Sequence, residues 1–196
     1  TGPVNIKSIS ELDIEDLLGR DEVIIDNKLL GNFLKNEIVL VTGAGGSVGS
    51  KISEEILKLN PKKLIILDSN EFALYSVQKT LAQMNLMSHK IDVIPILGSI
   101  QDNEKLKIIF KTFQPSVVYH AAAYKHVPIV EENIVEGLNN NIFGTLNLVN
   151  VAVKNKVKNF ILISTDKAVR PTNIMGATKR VAEMILQAFS EKEKLT

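Results

Sequence analysis

No cysteine and no tryptophan occur among the 196 residues, and aromatic side chains make up only 5% of them. Without thiols there is no disulfide framework, no thiolate metal site and no cysteine nucleophile; a reducing compartment is compatible with that lack. No apolar run approaches the roughly 20 residues needed to cross a bilayer. The first residues also lack the basic-then-apolar order of a signal peptide. The chain itself is therefore expected to be soluble and to make no membrane contact. Charge of one sign is missing as well: 23 basic and 22 acidic residues leave a formal net charge of +1. That mixture lacks the footprint of a nucleic-acid binder. The three histidines have no metal-ligand spacing with acidic neighbours, so no metal site is expected. What remains is a 45% hydrophobic chain, long enough for one domain with a modest appendage and a sizeable core.

The most informative stretch is Ile38-Val39-Leu40-Val41-Thr42-Gly43-Ala44-Gly45-Gly46-Ser47-Val48-Gly49. An apolar run ends in a glycine-rich turn and then opens an amphipathic segment, which reads as the first strand, phosphate-binding turn and first helix of a dinucleotide-binding fold. Gly43 suits a tight turn, Gly46 clears space for a pyrophosphate, and Gly49 lets helix and strand pack closely. The anion then sits at the free N–H groups of the helix N-terminus. A second apolar run, Leu64-Ile65-Ile66-Leu67, ends in Asp68. It lies about 20 residues past the turn, where a carboxylate accepts both hydroxyls of an adenosine ribose and favours NAD over NADP. Taken alone, Asp68 also reads as a helix N-cap.

From about Glu37 onward, strand-like runs alternate with helical periodicity, the mark of an α/β fold with a doubly wound parallel sheet covered on both faces. Strands are expected over 38–42, 63–68, 91–97, 116–120 and 159–164, and helices over 47–59, 71–84, 103–112, 137–155 and 176–191. The doubly wound rule orders the strands 3-2-1-4-5, with the ligand crevice at the carboxyl ends of the first and fourth. Pro95 inside an apolar run fits an edge strand, which the third strand is in that order. Residues 1–36 read as a short acidic helix and a linker, and 37–196 as the nucleotide-binding domain. Lys154, Lys156 and Lys158 read as a solvated face at a helix end. His120 and His126 read as hydrogen-bonded structural residues rather than catalysts, and His89 as exposed. Lys125 reads either as a surface lysine or as a contact to ligand.

A second constellation runs from Leu162 to Arg180, starting at the carboxyl end of the fifth strand. Thr165, Asp166 and Lys167 bring a hydroxyl, a carboxyl and an amine together there. Met175 and Lys179, four apart, face the same way from the first turns of a helix.

With these residues the chain resembles the nucleotide-binding part of an extended short-chain dehydrogenase/reductase, and within it the bacterial UDP-N-acetylglucosamine 4,6-dehydratases. The superfamily turn Thr-Gly-x-x-Gly-x-x-Gly is matched from Thr42 to Gly49. Of the later Tyr-x-x-x-Lys pair Lys179 is present, while Met175 stands where the tyrosine would be. That departure is typical of the large membrane-associated dehydratase branch, which the chain resembles also in His120-Ala121-Ala122-Ala123-Tyr124-Lys125-His126-Val127-Pro128, in Asn140-Asn141-Ile142-Phe143-Gly144-Thr145 and in Leu17-Leu18-Gly19-Arg20. Ser99 stands where relatives often carry an aspartate that contacts adenine.

The resemblance implies a Rossmann-like NAD-binding domain, with the smaller lobe for the UDP-sugar substrate largely absent from the chain. It implies a parent protein anchored on the cytoplasmic side of the bacterial inner membrane, and a homo-oligomer. Carried onto this sequence, NAD contacts fall to Thr42, Gly43, Gly45, Gly46, Ser47, Val48, Gly49, Asp68, Ser69, Ser99, Ile100, Ala121, Ala122, Ala123 and Lys179. Substrate contacts fall to Lys125, His126, Asn141 and Thr165. A 4,6-dehydratase oxidises carbon 4 of the sugar, removes the carbon 5 proton and expels the carbon 6 hydroxyl. The resemblance assigns the acid to Asp166 and the base to Lys167. Thr165 relays the carbon 4 hydroxyl proton, and Lys179 holds the nicotinamide ribose beside Met175. Acid and base need shifted pKa values. A nucleotide-sugar 4-epimerase, or a non-catalytic NAD-binding module, remains the alternative.

Overall fold

A computed structural model of the chain describes residues 33–86 and 91–193. The expected acidic helix of the first 36 residues, the Leu17 to Arg20 motif and His89 lie outside the described residues.

Five parallel strands form one sheet in the order β3-β2-β1-β4-β5, as the doubly wound rule requires. They are β1 (Ile38–Thr42), β2 (Lys63–Asp68), β3 (Asp92–Leu97), β4 (Val117–His120) and β5 (Asn159–Leu162). The two central neighbours are unbroken apolar runs because both of their faces are covered. Val39, Leu40 and Val41 are fully buried, and so are Leu64, Ile65 and Ile66. Alternate side chains feed two cores. One gathers Val39, Val41, Leu64 and Ile66 against α1 (Ser47–Lys58) and α2 (Glu71–Leu86). The other gathers Leu40, Ile65, Val118 and Phe160 against α3 (Asn103–Phe113) and the helix that precedes β5. Pro95 pairs opposite Ile66 on β3, an edge strand where a missing N–H is tolerated.

The segment read as one helix over 137–155 is built differently. It begins as α5 (Ile134–Leu138), passes through a π-helical turn (Asn139–Gly144) and continues as α6 (Thr145–Lys154). A further short helix, α4 (Val127–Glu132), precedes it. Six residues starting with Val127 and Pro128 are too few for a helical period to show, and three successive asparagines hide a π turn behind apparent loop chemistry. The last helix, α7 (Ile174–Glu193), starts two residues before its expected beginning, because Asn173 caps it by accepting from the Gly176 N–H (2.7 Å). Strand β5 ends at Leu162 rather than 164. Lys158, from the basic trio, pairs with Glu37 (2.6 Å).

Beneath the carboxyl ends of β1 and β4 runs a buried polar chain. Thr42 Oγ1 lies 2.7 Å from His120 Nδ1, and His120 Nε2 lies 2.9 Å from Thr145 Oγ1. Thr145 donates its one hydroxyl proton to the Asn141 carbonyl (2.7 Å). It must therefore accept from Nε2–H, which makes Nδ1 the acceptor of the Thr42 hydroxyl. His120 is thus a neutral structural residue, as expected, and burial pushes its pKa down to about 3, helped by the positive charge of Lys179. Since the folded form resists a proton that the unfolded form binds below 6.5, this group's contribution is full above pH 6.5 and is lost as pH falls toward 3. Thermal unfolding followed by circular dichroism between pH 7 and 4 should show a steep acid loss. His120→Gln should start less stable but lose less over that interval.

Candidate nucleotide and substrate site

Two cavities open at the carboxyl ends of the strands, on either side of the glycine-rich turn. The first, about 340 Å³, is lined by Gly45, Asp68, Ser69, Ser99, Ile100 and Ala122; the second, about 470 Å³, by Ser47, Val48, Gly49, Lys125, His126, Thr165, Lys167, Met175 and Lys179. Gly43, Gly46, Ala121, Ala123 and Tyr124 belong to both.

The turn has this shape because three positions exclude a side chain: Gly43, Gly49 and Gly45, where a Cβ would meet Ala73 at 2.6 Å. Gly43 takes φ of 68° with its Cα facing the Ala122 backbone, where a Cβ would approach N to 2.5 Å. A Cβ on Gly49 would stand 2.0 Å from the Gly43 carbonyl oxygen. Helix α1 therefore starts directly over the end of β1, and its first N–H groups, with no intrahelical acceptor, face outward from the strand end. Gly46 is different: the nearest atom to an added Cβ is the Gly43 oxygen at 3.3 Å, and the rest is open cavity.

Asp68 is held by two backbone donors, Gly45 N–H to Oδ2 and Asn70 N–H to Oδ1, each 2.8 Å. It is not the cap of α2; the Asn70 side chain fills that role by accepting from Ala73 N–H (2.9 Å). Across the turn, Lys125 Nζ donates to Ser47 Oγ (3.1 Å), tying the loop after β4 to the start of α1.

Two expected contacts are corrected. Thr42 was expected at the cofactor, yet it is fully buried, lines neither cavity and is bound to His120. Asn141 was expected at the substrate, yet it is 1% exposed and lines neither cavity. Its amide accepts from Tyr124 N–H (2.8 Å) and donates to the Tyr124 carbonyl and to Thr178 Oγ1, each 3.0 Å. A buried amide costs free energy unless its donors and acceptor are all met, and this one meets them by joining the π turn to the loop after β4 and to α7.

Of the second constellation, Thr165, Lys167, Met175 and Lys179 line one cavity, while Asp166, expected in the crevice with them, does not. Asp166 to Ala168 forms a 3₁₀ turn capped by the Thr165 hydroxyl. Thr165 Oγ1 donates to Asp166 Oδ1 (2.9 Å), and Lys167 Nζ stands 3.6 Å from the same oxygen. The hydroxyl, and next the ammonium, hold the Asp166 carboxyl below its ordinary range. Asp166 is exposed and stands outside the second cavity, whereas Lys167 lines it. Met175 and Lys179 are buried on α7 and both face that cavity. Lys179 Nζ donates to the Ile163 carbonyl (2.7 Å), and burial lowers its pKa to about 8 against the opposing pull of Glu183. Charge is segregated: among the described residues Asp68 is the only charged one on the first cavity, while Lys125, Lys167 and Lys179 line the second. Such a pair of compartments suits hydroxyls at one end and anionic oxygens at the other.

Sequence reasoning missed Asn70, Asn140, Ile129 and Ser164, which also line these cavities. The position of Asn70 and Ser164 just past a strand's carboxyl end was the available signal. Ile129 sits on the short helix the periodicity could not reveal.

Residues 39–196 match the family model described as polysaccharide biosynthesis protein. Over its whole length the chain is 41% identical to the capsular polysaccharide biosynthesis protein CapD of Staphylococcus aureus, of which it covers 32%. Over 76% of its length it is 33% identical to a UDP-N-acetylglucosamine 4,6-dehydratase (inverting) of Campylobacter jejuni, covering 42% of that protein. Among solved structures it is similar to a UDP-glucose 4-epimerase of Thermotoga maritima with UDP-glucose, at TM-score 0.68 and 25% identity, over 80% of this chain and 52% of that one. The chain thus spans about a third to a half of the relatives it matches.

The two glycines should separate in mutagenesis. Gly49→Ala forces the helix off the Gly43 carbonyl and should cost about 2–3 kcal/mol in denaturant unfolding. Gly46→Ala should stay within about 1 kcal/mol of the parent in the same measurement.

Proposed function

The chain belongs to the polysaccharide biosynthesis protein family, and from that premise we propose that it is the NAD-binding part of a nucleotide-sugar 4,6-dehydratase acting on a UDP-N-acetylhexosamine, UDP-N-acetylglucosamine being the candidate substrate. The observation that carries this reading is the Thr165, Asp166 and Lys167 turn set against Met175 and Lys179 at the cation-lined cavity. The product is a 4-keto-6-deoxy sugar nucleotide for bacterial glycan assembly.

The residues present fit a dinucleotide. The open face of Gly46 joins the two cavities where a side chain would intrude, and Asp68 stands at the end of the cavity that holds no cation. Gly43, Gly45, Gly46, Ser47 and Val48 would hold the diphosphate, Asp68 and Ser69 the adenosine ribose, and Ser99, Ile100 and Ala121 to Ala123 the walls around the adenine side. Lys179 would hold the nicotinamide ribose. When bound, NAD supplies a hydride acceptor that is regenerated within each turnover.

The chain's own groups account for the protons. Thr165 Oγ takes the carbon 4 hydroxyl proton while passing its own to Asp166, along the hydrogen bond it already makes. That carboxylate is ionised and so has room for the proton, and the Lys167 charge that helps to hold it low must be gone before it receives one. Once protonated, and covered by the sugar, Asp166 returns it to the departing carbon 6 hydroxyl as water. Lys167, on the cavity side of the same turn, must first release its ammonium proton to solvent; the free amine then accepts the carbon 5 proton and later gives it back. Lys125 and His126 line the same cavity and would meet the substrate's anionic part. Met175 transfers no proton. An epimerase would need no acid or base at carbons 5 and 6, so the two readings differ in product.

Asp68→Asn should weaken NADH uptake by about tenfold and narrow the preference over NADPH, read as a fluorescence titration. In the complete protein, Lys167→Ala and Asp166→Asn should abolish formation of the 4-keto-6-deoxy product from UDP-N-acetylglucosamine while NADH uptake persists. Full turnover by either variant would overturn the proton route.

A further inference from the structure

One face of α7 grips the segment that leaves β5 at three points. Gly176, Lys179 and Glu183 stand at i, i+3 and i+7, one above another on the helix. At Gly176 the Lys167 carbonyl oxygen lies 2.3 Å from where a Cβ would be, so the backbone of the turn rests on the helix itself. One turn on, Lys179 Nζ donates to the Ile163 carbonyl (2.7 Å). One turn further, Glu183 Oε1 accepts the hydroxyl proton of Ser164, while Oε2 accepts from Arg180 (2.9 Å). Among the described residues β5 pairs with β4, and the helix holds the segment beyond its carboxyl end by these three contacts.

We propose that Glu183 is a positioning residue of this site, its carboxylate fixing the start of the Thr165 to Lys167 turn through Ser164 and holding the Lys179 ammonium from one helical turn away. The inference rests on the reading that these two groups serve the reaction. A neutral acceptor could also hold Ser164, though more weakly than a carboxylate does; the charge in addition acts on Lys179, one helical turn away. Among the described residues the ionisable groups that share the second cavity with Lys179 are Tyr124, Lys125, His126 and Lys167, none of them a carboxylate. His120 below is neutral, and Asp166 is engaged with Thr165 and Lys167. On α4, Glu131 is bound to the Ile174 N–H. Glu183, four residues beyond Lys179 on the same helix, is the carboxylate whose charge opposes the lowering of the Lys179 pKa by burial. An ordinary exposed helix pair with Arg180 would explain neither the Ser164 bond nor that support.

The test uses the ligand-free chain labelled with ε-¹³C lysine, with the Lys179 signal assigned by its loss in Lys179→Arg. The parent midpoint is expected near pH 8. Glu183→Gln, which keeps an acceptor for Ser164 but removes the charge, should lower that midpoint by at least half a unit, and Arg180→Gln should not. Ser164→Ala should leave the midpoint in place but speed hydrogen exchange at the Ala168 and Val169 amides, which close the 3₁₀ turn, by about tenfold. A midpoint unmoved in Glu183→Gln, or exchange unmoved in Ser164→Ala, overturns the proposal. Both variants are conservative enough to fold, and Glu183→Leu should show both effects together. NADH uptake by the parent chain is read separately. If uptake fails while the midpoint and exchange respond, the positioning role stands and the cofactor reading falls.

Discussion

The contact on which the site depends is the seating of α1 on the Gly43 carbonyl, possible only because Gly49 has no side chain there. Any Cβ at that position would push the helix outward and tilt its N-terminus away from the end of β1. The consequences reach both cavities, because Gly43 and Gly46 border each of them. The close approach also brings Ser47 within reach of Lys125, so the loop after β4 is oriented by the same turn. One steric fact thereby sets a backbone cradle, the junction of two compartments and the placement of a cation.

Below that turn the floor is polar but fully paired. Thr42, His120, Thr145 and the Asn141 carbonyl form one chain, and the Asn141 side chain extends it to Tyr124 and Thr178. A polar floor of this kind is costly if any member is left unmet and rigid if all are met. The π turn is what lets Asn141 participate: the wider turn brings Asn140 and Asn141 inward together, both buried. The floor thus ties β1, β4, α6 and α7 into one unit beneath the groups that the proposed reaction uses.

Much of this was legible in the residues. Unbroken apolar runs announced a sheet covered on both faces, and the punctuation of glycine and acid announced which strand ends mattered. Side-chain partners within the core were less legible, since a threonine before a glycine-rich turn and an asparagine in an Asn-rich stretch look the same whether they face ligand or a buried histidine. Thr42 and Asn141 were misplaced for that reason: what decides their direction is the neighbour across the sheet, 78 residues away for Thr42. Glu183 left no local signal at all. An acidic residue four beyond a lysine on a helix reads as surface charge until Ser164 is found opposite it.

Met175 shapes the chemistry by what it cannot do. A thioether neither takes nor donates a proton, so in the proposed dehydration the group standing one helical turn before Lys179 would leave the carbon 4 hydroxyl without a direct base. Thr165 brings a hydroxyl to the same cavity, and a hydroxyl of ordinary basicity relays a proton only if a better acceptor stands behind it. Asp166 stands there, 2.9 Å away, ionised, and kept so by the bond itself and by the Lys167 ammonium. Exposure, which would spoil a carboxylic acid poised to donate at rest, suits a carboxylate that must first collect a proton and becomes an acid only after the substrate has covered it. On this view the methionine and the low carboxyl are complementary: the loss of a proton acceptor on the helix is compatible with turnover because the turn after β5 carries one.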